Sequence, residues 1–166
     1  MEMREFRPEL MPRRGEWTAW ALALVAGVGM FLLKQVWFIP LWAWIFWAFL
    51  LFSGASISLG NWMDRNTVIR LGSQGVQFKN GVRRTDLLWS DIQKVAVLPA
   101  RFGQTVQVIG HDSHFEFNTV GEVRFQGEVR GRTGFAEGRQ ILEVIFREAN
   151  MHLVEQSQEA YYYARG

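Results

Sequence analysis

Two long uncharged segments near the N-terminus constrain the fold of this chain more than any other feature. Residues 17–33 and residues 36–63 contain no charged side chain, and only Lys34 and Gln35 separate them. A helix needs about 20 mostly apolar residues to cross a bilayer, within a range of roughly 17–25. The sequence therefore predicts a transmembrane helical hairpin with a tight turn. Its expected bounds are residues 17–63, with helices at about 17–34 and 37–62.

Tryptophans mark both ends of this hairpin. Amphipathic indoles favour the membrane–water interface, so a group of Trp at each end is typical of two antiparallel spans. One end has Trp17, Trp20 and Trp62, and the other has Trp37, Trp42 and Trp44.

Basic residues predict the orientation of the hairpin. Four arginines precede the first span and Arg65 and Arg70 follow the second, whereas the turn has only Lys34. Basic residues concentrate on the cytoplasmic side of membrane proteins. We therefore expect a multi-pass protein of the inner (plasma) membrane with both termini in the cytoplasm and a cytoplasmic arm over residues 1–16. A cleaved signal peptide fits less well, because the apolar stretch is long and no A-x-A-like site ends it.

Small residues recur at a spacing of four on both predicted helices. Ala19, Ala23 and Gly27 form one stripe, and Gly54 and Ser58 form the other. Such stripes allow close helix–helix packing in membranes. They are also common in spanning helices without any special contact, and the sequence leaves both interpretations open.

Several classes of function are disfavoured by the composition. The spans lack the ionisable residues that usually mark transport or proton relay, and they lack His and Cys to ligate haem. The chain has no cysteine. Residues 64–166 carry 13 basic side chains against 12 acidic ones, and this near balance argues against a basic surface that binds nucleic acid. We expect no cofactor, no metal, no nucleic-acid partner, no small-molecule substrate and no enzymatic activity.

After residue 63 the hydrophobic pattern changes to short alternating runs separated by turn residues. Seven strands at regular spacing predict an antiparallel sandwich or barrel. The expected strands are residues 67–71, 76–79, 82–89, 93–98, 105–109, 114–119 and 122–129. Asn80-Gly81 predicts a type I′ hairpin turn. From Gly138 the period becomes helical, at Ile141, Leu142, Ile145 and Ala149, with Asn150 as the cap. The domain is expected over residues 64–152, with a loosely ordered polar tail over 153–166.

Three segments of this domain are similar to bacterial pleckstrin-homology-like (PH-like) membrane proteins. They are NGVRRTDLLWSDI at residues 80–92, Arg101-Phe102-Gly103, and Gly134-Phe135 with Gly138 before the last helix. The resemblance implies a membrane-anchored α+β protein: a transmembrane hairpin, then a seven-stranded split β-barrel with a C-terminal capping helix. Members of that superfamily bind phosphoinositides, peptides or proteins. Here the first turn is Gly-Ser-Gln-Gly at residues 72–75, without the basic residues of the phosphoinositide signature.

Basic residues on the first strands form a candidate contact surface. The set is Arg70, Lys79, Arg83 and Arg84. Close to a bilayer, each contributes about 1 kcal/mol of attraction to anionic headgroups. The alternative is a solvated face, neutralised by Asp86 and Asp91.

The aromatic tail Tyr161, Tyr162 and Tyr163 is a candidate for partner contact, because aromatic residues dominate interface hot spots; a mobile tail is the alternative. His111 and His114 beside Asp112 and Glu116 are too few for a convincing zinc site. We expect His114 and Glu116 to share the outer face of a strand.

Two further patterns have plain structural explanations. A glycine-rich run contains Gly121, Gly127, Gly131, Gly134 and Gly138. It lacks the residue arrangement of a phosphate-binding loop, and turns account for it better. Trp89 and Ile92 are expected in the core in preference to a ligand pocket.

These patterns favour a non-enzymatic bacterial scaffold or accessory subunit of a larger membrane protein assembly, with other membrane proteins and membrane lipid as its partners. The alternative is a domain that senses anionic lipid from a membrane anchor.

Overall fold

The computed structural model of this chain describes residues 3–10, 12–157 and 160–166. The chain divides into two compact units. One is Pro12–Met63, and the other combines the segment before residue 12 with Asp64–Gly166.

The first unit consists of two long helices. Helix α1 spans Arg14–Leu33 and helix α2 spans Leu41–Arg65, so the end of α2 reaches into the second unit. Both helices are long and apolar enough to cross a membrane, and only 6% of an 18-residue apolar segment in each helix is buried. A core helix of a soluble protein would be mostly buried, so this exposure is consistent with two membrane spans.

The connection between the helices is longer than expected. The prediction of a two-residue turn is wrong, because residues 34–40 all lie outside the helices and α2 begins at Leu41. Pro40 accounts for this difference. A proline disfavours helical backbone in the residue before it, so the helix starts only after the proline. The amide of Ala43 donates to the carbonyl of Pro40 at 3.1 Å, which marks the first turn.

The second unit contains eleven strands and one further α-helix among the described residues. The strands are β1 (Arg4–Phe6), β2 (Thr67–Leu71), β3 (Gly75–Asn80), β4 (Arg83–Leu88), β5 (Ile92–Pro99), β6 (Gln104–Gly110), β7 (His114–Asn118), β8 (Gly121–Phe125), β9 (Glu128–Thr133), β10 (Met151–Gln156) and β11 (Tyr161–Arg165). A short 3₁₀ helix, Trp89–Asp91, joins β4 to β5, and helix α3 spans Gly138–Glu148.

These strands form three antiparallel sheets and no closed barrel. The first sheet has the order β1-β2-β3-β4 and the second has the order β10-β11-β5-β6-β7, while β8 and β9 form a separate ribbon. The coarse α+β layout that the sequence predicts is therefore present. The seven-strand count is wrong, because it omits β1, β10 and β11 and reads β8 with β9 as one strand.

The core lies between the two larger sheets and is closed by α3. Alternate residues of the strands point inward, as the pattern of β7 illustrates: Phe115 and Phe117 are buried, while His114 and Glu116 are exposed. This confirms the predicted outer face. Ile141 and Ile145 of α3 are fully buried in the same core, which confirms the helical face predicted from its period.

Trp89 and Ile92 also belong to this core, as predicted, and the Trp89 indole donates to the carbonyl of Gly72 at 3.2 Å. Asn150 follows α3 with a φ of 52°, which is the left-handed conformation expected of a residue that ends a helix.

Two hairpin turns differ from the prediction. Asn80 pairs with Arg83, so the turn residues are Gly81 and Val82 and not Asn80-Gly81, and Gly81 has the positive φ of 49°. In the ribbon, Gln126 and Gly127 have φ values of 52° and 84°. Two successive positive φ values are typical of a tight hairpin turn, which divides the single predicted strand into β8 and β9.

Two strands follow α3, β10 (Met151–Gln156) and β11 (Tyr161–Arg165), so the expectation of a loosely ordered tail over 153–166 is wrong for the residues that these strands contain. β11 lies between β10 and β5, with Tyr161, Tyr162 and Tyr163 opposite Val97, Ala96 and Val95. Tyr is a strong strand former, because its ring packs well on a pleated surface.

The segment before α1 also forms a strand. β1 pairs with β2, and Phe6 lies opposite Ile69 and packs against the core. The polar arm that the sequence suggests is therefore in part an edge strand of the first sheet.

Candidate functional site

A concave surface on the first sheet is lined by five cationic side chains. They are Arg7, Arg65, Arg70, Lys79 and Arg84, and we call this set the basic surface. The concavity has a volume of about 230 Å³, and no carboxylate lines it.

Strand register explains why three of these residues meet. Lys79 of β3 lies opposite Arg84 of β4, and Arg70 of β2 lies opposite Gln77. Side chains of paired residues point to the same face of a sheet. The buried partners on the other face, such as Phe78 and Thr85, keep the charged residues on the outside.

Two carboxylates at the margin hold three of the four arginines of the basic surface. Glu5 accepts hydrogen bonds from Arg7 and Arg70, with the closest atoms 2.8 Å and 2.9 Å apart. These hydrogen bonds from Arg7 and Arg70 lower the pKa of Glu5 below its ordinary value. Asp86 accepts a bond from Arg84 at 3.0 Å. No carboxylate among the described residues forms an ion pair with Lys79, which is exposed.

Arg83 lies away from the basic surface. Its Nη2 donates to the carbonyl of His114 on β7 at 2.7 Å. Arg83 and Arg84 are successive residues of one strand, so their side chains leave opposite faces. Three of the four predicted residues therefore lie together and Arg83 does not.

Arg7 and Arg65 were not predicted as members of this surface. Arg7 joins it because β1 pairs with β2, and Arg65 joins it as the last residue of α2. No local sequence signal indicates that the three residues of β1 pair with β2.

The three tyrosines of β11 have two different environments. Tyr161 and Tyr163 pack against the core, and the Tyr163 ring lies 4.1 Å from the Phe146 ring between centroids. Tyr162 points to the other face and is 40% exposed. Of the three residues predicted to contact a partner, Tyr162 alone presents its ring to the outside of the second sheet.

The predicted stripes of small residues lie against indole rings of the facing helix. The Trp47 Nε1 of α2 donates to the carbonyl of Ala23 at 2.9 Å, and a Cβ on Gly27 would lie 2.8 Å from that nitrogen. The Trp20 Nε1 of α1 donates to Ser58 at 2.8 Å, and its ring lies 3.4 Å from the Cβ position of Gly54. Ala19 is half-buried. Four of the five residues thus contact the opposite helix through tryptophan.

A metal site finds no support among the described residues, where no group of three His, Asp or Glu side chains is placed to hold an ion. His111 instead lies 3.2 Å from the Gln93 amide, and its Nε2 lies 3.8 Å from Asp112.

Comparisons of the chain with protein-family models, with curated proteins and with solved structures found no match. The basic surface is therefore interpreted from its own residues.

Proposed function

We propose that this protein is a non-enzymatic, membrane-anchored domain of the PH-like kind that binds the phosphate groups of anionic lipids through the basic surface. The observation that carries the proposal is the convergence of five cationic side chains on one concavity of about 230 Å³.

The chemistry of the surface suits a phosphate group. Arginine offers a planar set of N–H donors that matches phosphate oxygens in pairs, and lysine adds a compact charge. Ion pairs with Glu5 and Asp86 hold Arg7, Arg70 and Arg84 in place, which reduces the ordering that binding requires.

Chain connectivity supports a membrane-side location for this surface. One residue, Asn66, separates the end of α2 from the start of β2. If α2 spans the bilayer, the first residue of β2 lies within about 7 Å of the end of α2, because two residues extend no further. Arg65 is itself the last residue of α2, which gives the basic surface one member at that boundary.

The pairing of β1 with β2 supports two spans and not one. β1 precedes α1 and β2 follows α2, yet they are neighbours in one sheet. Both ends of the hairpin must then emerge on the same side of the membrane. With the basic residues of the arm, we place that side in the cytoplasm of a bacterial cell, at the inner membrane.

The test uses the full chain in an uncharged detergent, titrated with a short-chain phosphatidylglycerol or, for comparison, a short-chain phosphatidylcholine. We expect binding of the anionic lipid only, weakened by added salt. Lys79→Ala should weaken it about fivefold, which corresponds to roughly 1 kcal/mol for one basic residue.

Arg83→Ala is the matched control, because it removes the same charge from a neighbouring position that faces elsewhere. Equal binding of the two lipids, or equal losses for the two variants, would contradict the proposal.

A second candidate function is that of a scaffold or accessory subunit of a membrane protein assembly. It is favoured by a shallow groove of about 380 Å³ on the outside of the second sheet, where Ile109, Val154 and Tyr162 expose apolar surface. Purification from native membranes through a C-terminal tag should then recover stoichiometric membrane proteins with the wild type. Tyr162→Ala should lose them, and Lys79→Ala should retain them.

A further inference from the structure

A second concave surface of the same unit carries the opposite charge. It is lined by Glu9, Asp64 and Glu116, which we call the acidic surface, and it has a volume of about 370 Å³. No lysine or arginine lines it, and none of the three carboxylates forms an ion pair with any residue in the described part of the chain.

This surface also contains an acceptor without a donor. Asn80 lines the same concavity, and its Oδ1 atom is buried and receives no hydrogen bond from the described protein groups. Buried polar atoms are nearly always hydrogen-bonded. A cationic side chain entering the concavity would supply N–H donors to Asn80 and to the three carboxylates.

The two surfaces match in charge. The basic surface has five cations, of which Arg7, Arg70 and Arg84 pair with the two carboxylates Glu5 and Asp86. Three positive charges therefore remain in excess, against three negative charges on the acidic surface. Surfaces of opposite potential attract and orient each other at protein interfaces.

The two surfaces are distinct parts of one molecule. Asp64 belongs to the acidic surface and Arg65 to the basic surface, and they are successive residues in the last turn of α2. Successive helical residues do not face each other. A contact between these surfaces therefore joins two copies, either reciprocally across a two-fold axis or head to tail.

We propose that the acidic surface of one copy binds the basic surface of another, so that the protein forms salt-sensitive assemblies with itself. This goes beyond lipid binding, because the occupant of the basic surface is then a second copy of this chain. Anionic lipid and the second copy compete for the same cations.

The test is sedimentation velocity of the full chain in an uncharged detergent without anionic lipid, at low and at high salt. The wild type should form species larger than a monomer at low salt and dissociate at high salt. Arg84→Glu and Glu116→Arg should each weaken association by more than about tenfold, because like charges then face each other.

Mixing the two variants supplies a stringent check. Each variant keeps one native surface, so an equimolar mixture should associate although neither variant does so alone. Arg139→Glu and Glu143→Arg, which make the same charge changes on α3, should leave the assembly unchanged.

Three results would overturn the proposal: a monomer at low salt, association that salt does not reduce, or a mixture that stays monomeric. Lys79→Glu repeats the test at a residue without an ion pair, in case Arg84→Glu does not fold. Glu116→Arg also separates the two proposals, since it should abolish assembly and leave lipid binding intact.

Discussion

Neighbouring tyrosines on β11 offer a sharp test of how the C-terminal strands hold the second unit together. Tyr163 packs against the core and the Phe146 ring, whereas Tyr162 faces outward. Replacement of either by Ala removes the same ring from the same strand. The intrinsic loss of strand propensity is therefore shared by the two variants, and their difference isolates the packing of one face.

The expected magnitudes follow from burial. Replacing a fully buried aromatic residue by Ala costs about 3–5 kcal/mol, so the half-buried Tyr163 should cost about 2 kcal/mol. Its ring contact with Phe146 adds roughly 0.5–1.5 kcal/mol. Tyr162→Ala should cost less than about 1 kcal/mol, because most surface substitutions do.

Hydrogen exchange of the full chain in detergent, read by mass spectrometry, measures this directly. Tyr163→Ala should speed exchange of the β5 amides by about 30-fold more than Tyr162→Ala, which corresponds to a difference of about 2 kcal/mol in the free energy of opening. Equal protection in the two variants would refute the assignment of faces on β11. Losses below twofold in both would refute a structural role for the strand.

Three further outcomes are expected of the full chain. Gly75→Ala should lower the midpoint of thermal unfolding strongly, because its Cβ would clash with the carbonyl oxygen of Leu87 in β4, whereas Gly72→Ala meets nothing closer than 3.7 Å and should change little. In α1, Gly27→Ala should displace the facing indole, and the matched Gly29→Ala, with nothing within 4 Å, should not; tryptophan fluorescence of the hairpin would report the difference. Glu5→Gln should lower the midpoint at neutral pH. The folded-state pKa of this carboxyl is depressed, so its stabilisation is present above the ordinary value of 4.5 and is lost as pH falls through the lower folded value. The wild type and Glu5→Gln should then converge in acid, and a constant gap down to the lowest pH would contradict this.

Much of the architecture follows from periodicity. The uncharged runs predict α1 and α2, alternation predicts β2 to β7, and the helical period predicts α3. The strands and α3 each bury one face, whereas α1 and α2 are apolar on all sides. The core positions of Trp89 and Ile92 follow from the same pattern. The ends of α2 and of the hairpin turns are less predictable, since they depend on backbone conformation at Pro40 and Gly81.

The missed strands have a different cause. β1 has three residues and no alternation of its own, and it exists through pairing with residues more than 60 positions away. β11 carries a local signal in its tyrosines, which the surrounding polar residues conceal. The membership of the basic surface combines both cases: alternation alone separates Arg83 from Arg84, whereas Arg7 requires knowledge of the sheet order.

The pairing of Phe6 with Ile69 also sets the order in which this protein is completed during synthesis. β1 leaves the ribosome first, but its partner strand is made only after both apolar helices. The first sheet therefore cannot close before both helices have been synthesised. If both helices span a membrane, as proposed, a chain whose N-terminal segment was carried to the far side would keep an unpaired edge at β2, where Ile69 and Leu71 lose a neighbour. In such a protein, correct insertion and correct folding would both require the pairing of the three residues of β1.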